Sequence, residues 1–234
     1  IYSSDGVMLG EYGEERRQFL PIGQIPKVMK DAVLAIEDAR FYQHGGVDYL
    51  GVLRAGLAQF RESKSQGAST ITMQVARNFY LSTEKTVTRK IYEVLLTWKI
   101  ESQLTKDQIL EAYMNQIFLG QRAYGFAAAS EIYFGKPLKD VTVAEAAMLA
   151  GLPKGPSIYN PIVNPKRATA RQQHIIDRMV DNGFISADQA AAARTEKLRY
   201  RTQSEVAVHA EYVAETARQL VFSQYGEESY ARGL

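Results

Sequence analysis

The sequence lacks cysteine and has few of the other residues that support redox or metal chemistry. With no cysteine among 234 residues, disulfides, thiolate metal sites and cysteine nucleophiles are excluded together. Only three histidines occur, His44, His174 and His209, and no two lie at the spacing of a metal-binding pair. A zinc ion held by histidines is therefore not expected.

Neither a large net charge nor a long apolar run is present. The 28 basic and 26 acidic residues give a net charge of +2, which is not typical of a nucleic-acid-binding protein. No uninterrupted apolar run approaches the roughly 18 residues of a membrane-spanning helix. Because the chain opens at Ile1 without an initiator methionine or a signal-like segment, we expect a fragment of a longer protein.

The first part of the chain predicts a short β element followed by helices. Asp5-Gly6 is a turn dipeptide that predicts a hairpin, with Phe19-Leu20 as a further strand. Pro26 suits the first position of a helix, which the apolar spacing extends to about Phe41. A helix over residues 48–60 and a polar loop over residues 67–72 follow.

The later helices have clear start and stop signals. The sequences that begin at Thr105, Thr142 and Ser186 each fit a capping box, with Gln or Glu three residues later. Asn164-Pro165 opens another helix that should end near Gly183. A further helix is expected between residues 204 and 225. The fold class predicted is mainly α with a small N-terminal β element.

The segment around Glu37 has the strongest catalytic signal. On a helix, Glu37 would lie between Val33 and Phe41, four residues before and after it. Apolar neighbours desolvate a carboxylate and raise its pKa, which suits a proton acceptor that works near neutral pH. The alternative is that Glu37 and its neighbour Asp38 form surface ion pairs with Arg40 or Lys30.

Three further segments carry groups that suit a phosphate-bearing ligand, although each also has an ordinary structural explanation. Residues 67–78 combine small residues with hydroxyls, an amide and a guanidinium, as a phosphate site or a Ser/Thr-rich helix start would. Arg89, Lys90 and Glu93 share one helix face, where exposed ion pairs are common. Lys154 and Ser157 lie in a proline-rich loop.

Taken together and in order, these segments resemble the peptidoglycan glycosyltransferase domain (glycosyltransferase family 51) of class A, bifunctional penicillin-binding proteins. The resemblance covers about residues 1–200. It rests on Glu-Asp-x-x-Phe-x-x-His-x-Gly at 37–46, Gly-x-Ser-Thr-x-Thr-x-Gln at 67–74, Arg-Lys-x-x-Glu at 89–93, Lys-Asp-x-Ile-Leu-Glu-x-Tyr-x-Asn at 106–115, Tyr-Phe-Gly-Lys at 133–136, Glu-Ala-Ala-x-Leu-Ala-Gly at 145–151 and Pro-Ser-x-Tyr-Asn-Pro at 156–161.

The resemblance implies a lysozyme-like, two-lobed helical domain whose smaller lobe, the jaw, faces the membrane. Such a domain joins lipid II units through β-1,4 linkages, with inversion at the anomeric carbon and release of undecaprenyl pyrophosphate. Residues 201–234 would be a linker helix toward a transpeptidase domain, and a membrane helix would precede Ile1. The implied location is the periplasmic face of the bacterial inner membrane.

By position, the resemblance makes Glu37 the general base and Glu93 a second catalytic glutamate near the leaving pyrophosphate. Arg89, Lys90 and Lys154 would neutralise the charge of that group. The donor cleft would be lined by Ser69, Thr70, Gln74, Arg77, Asn78 and Ser157. No organic cofactor is implied. A divalent cation, Mg²⁺ or Mn²⁺, would stimulate the reaction without a dedicated metal site, although Asp38 could take part.

The chain departs from the family pattern at several positions and leaves other functions open. Met73 stands where a first Gln is usual, Ala68 where a second Gly is usual, Arg77 where Lys is more common and Thr97 where Ala is usual. A lysozyme-like hydrolase or lytic transglycosylase uses a similar glutamate, but it would not need the three cations. A non-catalytic scaffold that binds lipid II would not need Glu37 and Glu93.

The implied partners are lipid II, the growing lipid-linked glycan and other cell-wall synthesis proteins, with no nucleic acid. Because the lipid tail of the substrate stays in the bilayer, the jaw should place apolar residues at the membrane interface. The candidates are Leu50, Leu53, Leu57 and the run Phe79-Tyr80-Leu81, and the alternative is that the three leucines belong to the core.

Overall fold

Helices dominate the computed structural model, which describes residues 16–49, 69–80, 87–201 and 211–225. In chain order, the helices are α1 (Lys27–Glu37), α2 (Ile71–Tyr80), α3 (Val87–Gln103), α4 (Lys106–Gln116), α5 (Phe126–Phe134), α6 (Val143–Ala150), α7 (Pro165–Asp181), α8 (Ala187–Thr195) and α9 (Glu211–Tyr225). The strands are β1 (Arg16–Arg17) and β2 (Ala123–Tyr124). The predicted mainly α fold class is confirmed.

The two strands form a small parallel pair that joins the start of the described chain to its middle. Arg16 lies opposite Ala123, and Arg17 lies opposite Tyr124. The prediction of a strand at Phe19-Leu20 is wrong, because Leu20 is held by side-chain hydrogen bonds with Asn115 instead. The hairpin predicted at residues 1–9 and most of the helix predicted at 48–60 lie outside the described residues.

Helix α1 ends at Glu37, four residues earlier than predicted. Its buried face carries Met29, Ala32 and Val33, which are fully buried. The backbone N–H of Asp38 still bonds to the carbonyl of Leu34, but Asp38 itself is extended, with φ −164°. The chain then enters a short 3₁₀ turn at Phe41–Gln43. Phe41 therefore reaches the core from outside the helix that carries Glu37.

All three predicted capping boxes are present. The hydroxyls of Thr105, Thr142 and Ser186 accept the backbone N–H three residues on, and the side chain there bonds back. Each box satisfies two otherwise unpaired N–H groups at a helix start. Helix α4 nevertheless ends at Gln116, not near Gly120.

Two helices were not predicted as such. Helix α2 begins at Ile71, within the segment expected to be a loop. Helix α5 lies between Gly125 (φ +82°) and Gly135, which adopts the left-handed conformation. Its buried residues include five in an unbroken run, Phe126–Ser130, and so lack the one-sided spacing that identifies a surface helix.

The helices pack as two groups. Helices α1, α6 and α7 pack against one another, with α8 on α6 and α7, while α2, α3 and α4 form a second group. Helix α5 contacts α4 and α6 and thereby links the groups. Glu37 lies at the end of α1, where the first group meets α2 of the second, which agrees with the expected two-lobed arrangement.

An exposed apolar stripe runs along α3. Ile91, Leu95 and Trp98 recur at helical spacing, and each is about half exposed, as is Tyr92 beside them. None of the helices in the described ranges is long and apolar enough to cross a membrane.

Candidate active site

Glu37 is a partly buried carboxylate whose hydrogen-bond partner comes from another helix. Gln74 Nε2, on the first turn of α2, donates to Glu37 Oε2 at 2.7 Å. Gln74 Oε1 in turn accepts a hydrogen bond from the hydroxyl of Tyr113 on α4, at 3.4 Å. Three helices that are distant in sequence therefore meet at this carboxyl group.

Burial raises the pKa of Glu37 above its ordinary value of 4.5. The Gln74 hydrogen bond and the positive charges of Arg171 and Lys154 oppose that effect, while the neighbouring Asp38 reinforces it. The carboxyl thus combines limited hydration with nearby cations, which is the environment expected of a general base. The interpretation of Glu37 and Asp38 as surface ion pairs is wrong, since Arg40 pairs with Asp48.

Asp38 holds the loop after α1 against the start of α2. His44 Nε2 lies 2.9 and 3.0 Å from the two Asp38 oxygens, and the backbone N–H of Ile71 donates to one of them at 3.2 Å. Both side chains of the pair are buried. The contact fixes the position of α2, and with it the position of Gln74.

Thr70 also joins the loop after α1 to the start of α2. Its hydroxyl donates to the carbonyl of Gly46 at 2.5 Å and accepts the backbone N–H of Met73. Thr70 is buried, and its place in the donor cleft stays a prediction. Ser69, one residue earlier, is only partly buried.

Glu93, on α3, lies in a second cluster with Arg77, which is one turn beyond Gln74 on α2. Its side chain is only 2% exposed and bonds to Lys90 Nζ at 2.5 Å, with Arg77 Nε 3.8 Å away. Lys90 also reaches Ser69 Oγ at 3.5 Å. The alternative of an ordinary exposed helix pair is wrong for Glu93, because its carboxylate is buried while the two cations remain accessible.

The structure separates the predicted cations into two sets. Lys90 and Arg77 lie beside Glu93, whereas the positive charge of Lys154 lowers the pKa of Glu37. Arg89 is partly buried on α3, and Asn78 and Ser157 are exposed. Helix α2 joins the two clusters, because Gln74 contacts Glu37 and Arg77 faces Glu93.

Two residues of the site were missed by the sequence analysis. Arg171, on α7, is partly buried near Glu37, its guanidinium 5.8 Å from the ring centroid of Tyr159, and burial lowers its pKa. Nothing in the local sequence marks it, since α7 carries several basic residues. Tyr113 lies within the motif at 106–115, but a motif of this kind gives no partner for a buried tyrosine.

The residues around Asp38 do not fit a metal site. Both carboxylate oxygens already face His44, and one also accepts from the backbone of Ile71. Among the residues in the described ranges, no three acidic or histidine side chains are grouped as metal ligands. No step of the reaction is therefore assigned to a metal bound by Asp38.

Known proteins resemble this chain closely. A sequence profile described as transglycosylase matches residues 5–180. Penicillin-binding protein 1A of Neisseria lactamica is 56% identical over the whole chain, and that of Neisseria gonorrhoeae is 55% identical. A Cupriavidus necator protein named as a transglycosylase is 61% identical over 78% of this chain and 79% of its own length.

A solved structure shows the same fold. The crystal structure of penicillin-binding protein 1A from Haemophilus influenzae superposes with a TM-score of 0.57 and 30% sequence identity, over 98% of this chain and 24% of the other. The present chain spans about 30% of the length of the Neisseria proteins.

Proposed function

Because the chain belongs to the transglycosylase family, we propose that it is a peptidoglycan glycosyltransferase that polymerises lipid II. The proposed reaction joins disaccharide units through β-1,4 linkages, inverts the anomeric carbon and releases undecaprenyl pyrophosphate. The observation that carries the proposal is Glu37, a desolvated carboxylate with cations nearby, in a chain 56% identical to a penicillin-binding protein 1A.

Glu37 is proposed as the general base. Its carboxylate takes the proton from the 4-hydroxyl of the acceptor sugar as that oxygen attacks the anomeric carbon of the donor. The bond from the anomeric carbon to the pyrophosphate oxygen breaks in the same displacement, which gives inversion. The raised pKa of Glu37 strengthens it as a proton acceptor, provided that the group stays ionised at the working pH.

The cluster around Glu93 is proposed to hold the departing pyrophosphate. Lys90 and Arg77 present accessible positive charge, and the buried Glu93 carboxylate fixes their position. Preorganised cations stabilise the negative charge that develops on a leaving group. Arg89 and Lys154 are further proposed cations. Ser69, Thr70, Gln74, Asn78 and Ser157 stay proposed donor-site residues.

The proposed reaction uses no organic cofactor. Stimulation by Mg²⁺ or Mn²⁺ stays a prediction, to be measured by comparing rates with either ion and with a chelator. We assign no residue of the chain to such an ion.

The proposed location is the periplasmic face of the inner membrane, with cell-wall synthesis proteins as partners and the jaw at the membrane interface. The exposed stripe on α3 supports a bilayer contact, because Ile91, Leu95 and Trp98 would otherwise face water. Leu50, Leu53, Leu57 and Leu81 lie outside the described residues, as do the side chains of Phe79 and Tyr80.

The experiment that tests the function gives the purified chain two substrates, labelled lipid II in detergent and finished glycan strands. The proposal predicts a ladder of glycan polymer from lipid II, seen by gel electrophoresis, and no cleavage of finished strands. Cleavage without polymer would instead support the lysozyme-like hydrolase. Binding of lipid II with neither product would support the scaffold.

A further inference from the structure

The amide of Gln74 is held in one of two possible orientations. In the structure, its nitrogen points at Glu37 and its oxygen points at Tyr113. If the amide turned over, its oxygen would face Glu37. An ionised carboxylate accepts hydrogen bonds only, so it is stabilised by the nitrogen and destabilised by the oxygen. A protonated carboxyl can donate to the oxygen. The orientation of this amide therefore affects whether Glu37 is ionised.

Tyr113 is the group that can distinguish the two amide orientations. Its side chain lies inside the protein, with the residue only 1% exposed, so water does not satisfy its hydroxyl. Burial and the negative charge of Glu37 raise the pKa of Tyr113 well above 10, which keeps the hydroxyl protonated and able to donate. In the part of the chain that the structure describes, the acceptor recorded for that proton is Gln74 Oε1.

From this geometry, we propose that Tyr113 is a positioning residue that fixes the Gln74 amide with its nitrogen toward Glu37 and so keeps the general base ionised. The inference rests on the function proposed above. Turning the amide over would leave a buried hydroxyl donor without its acceptor, which is costly inside a protein. The chain Tyr113–Gln74–Glu37 also polarises the amide, so that its nitrogen becomes a better donor.

Other charged groups act on this carboxyl, and none of them selects the amide orientation. Lys154 and Arg171 favour the ionised form of Glu37, and Asp38 opposes it. Arg77 faces Tyr113 and lowers the pKa of its phenol, against the larger effects of burial and Glu37. Each of these acts through charge at a distance, whereas Tyr113 bonds the amide directly.

The test compares Tyr113→Phe with Tyr133→Phe. Each substitution removes one hydroxyl from a buried tyrosine. The Tyr133 hydroxyl bonds to the carbonyl of Leu119 and to Asn160 and has no recorded contact with Gln74 or Glu37, so it is a matched control for lost stability. Wild type and both variants are assayed for kcat/KM on lipid II across a pH series.

Tyr113→Phe should move the acid limb of kcat/KM to higher pH. The loss is expected to be about 3- to 10-fold on the acid side and to fade as pH rises, since one hydrogen bond to the base is weakened. Tyr133→Phe should leave the position of the limb unchanged. An unmoved limb in Tyr113→Phe would overturn the inference, as would an equal shift in both variants.

A second measurement does not depend on activity. Carbon NMR of protein labelled at glutamate carboxyls follows the titration of Glu37, assigned from the signal lost in Glu37→Gln. In Tyr113→Phe, the pKa of Glu37 should rise. Adding Tyr113→Phe to Gln74→Leu should produce no further change, because the inferred route runs through the amide. A further change in the pKa of Glu37 in the double variant would show that Tyr113 acts on Glu37 other than through Gln74, and would contradict the inference. If the wild type made no polymer, the proposed function would be wrong, but the NMR titration would still test the effect of Tyr113 on Glu37.

Discussion

At Glu37, burial and nearby charge act in opposite directions on one carboxyl group, and burial has the larger effect. A carboxyl whose pKa is raised on folding costs stability when it is ionised. Below the ordinary pKa of 4.5, both the folded and the unfolded chain hold the proton, and no cost arises. As pH rises above that value, the unfolded chain loses its proton first, and the free energy of unfolding falls.

We therefore predict that Glu37→Gln raises the free energy of unfolding at pH 7.5. A glutamine at this position still has an oxygen that can accept from Gln74, but it carries no buried charge. The gain should disappear near pH 4. Urea unfolding of wild type and variant at the two pH values measures the difference.

Glu131→Gln, on α5, is the matched control for this change and should have little effect at either pH. A Glu37→Gln protein that is less stable than wild type at pH 7.5 would contradict the account of the site. A gain that is equal at both pH values would show that the buried charge is not its cause.

At the scale of the element, the turn after α1 depends on one glycine. Gly46 has φ +90°, and a Cβ there would lie 2.6 Å from the Thr97 methyl carbon and 2.9 Å from Glu101 Cγ on α3. The hydroxyl of Thr97 is meanwhile bonded to the carbonyl of Glu93. Helix α3 is thus packed closely against the loop that carries the Asp38–His44 pair.

Gly46→Ala should lower the free energy of unfolding by about 2–4 kcal/mol, from backbone strain and overpacking together. Gly45→Ala is the matched control. It adds the same methyl group one residue earlier, where nothing lies within 4 Å of the new atom. Chemical denaturation should show Gly45→Ala close to wild type, and equal losses in the two variants would contradict this explanation.

The apolar stripe on α3 makes a separate prediction. Leu95→Asp and Trp98→Asp should each reduce co-sedimentation with phospholipid vesicles, because an ionised side chain resists entry into the interface. Val163→Asp is the control, since Val163 is an exposed apolar residue in a loop away from α3. If folded stripe variants bound vesicles as the wild type does, α3 would not be the contact.

The sequence predicted local features of these elements better than their meeting points. Capping boxes depend on residues three apart, so the starts of α4, α6 and α8 could be predicted from the sequence. The end of α1 could not be predicted, because Asp38 leaves the helix to bond His44 and Ile71, and Ile71 is 33 residues away. Helix α5 could not be predicted from apolar spacing, because its buried residues are consecutive and show no helical period.

At the scale of the whole molecule, the proposed site takes its residues from helices of both groups. Glu37 comes from α1, Gln74 and Arg77 from α2, Lys90 and Glu93 from α3, Tyr113 from α4 and Arg171 from α7. The sequence predicted the two glutamates and most of the cations of the proposed site through motifs. It could not show that Lys154 acts on Glu37, nor that Arg171 and Tyr113 belong to the site, since those contacts exist only after the groups pack.

The central claim is that the carboxylate of Glu37 is the base for glycan polymerisation. The most direct measurement is the initial rate of lipid II polymerisation by wild type, Glu37→Gln and Glu131→Gln at neutral pH, each checked for folding by circular dichroism. The account predicts that Glu37→Gln loses roughly 10²- to 10⁴-fold in rate while Glu131→Gln stays close to wild type. A folded Glu37→Gln protein that polymerises lipid II at the wild-type rate would contradict it.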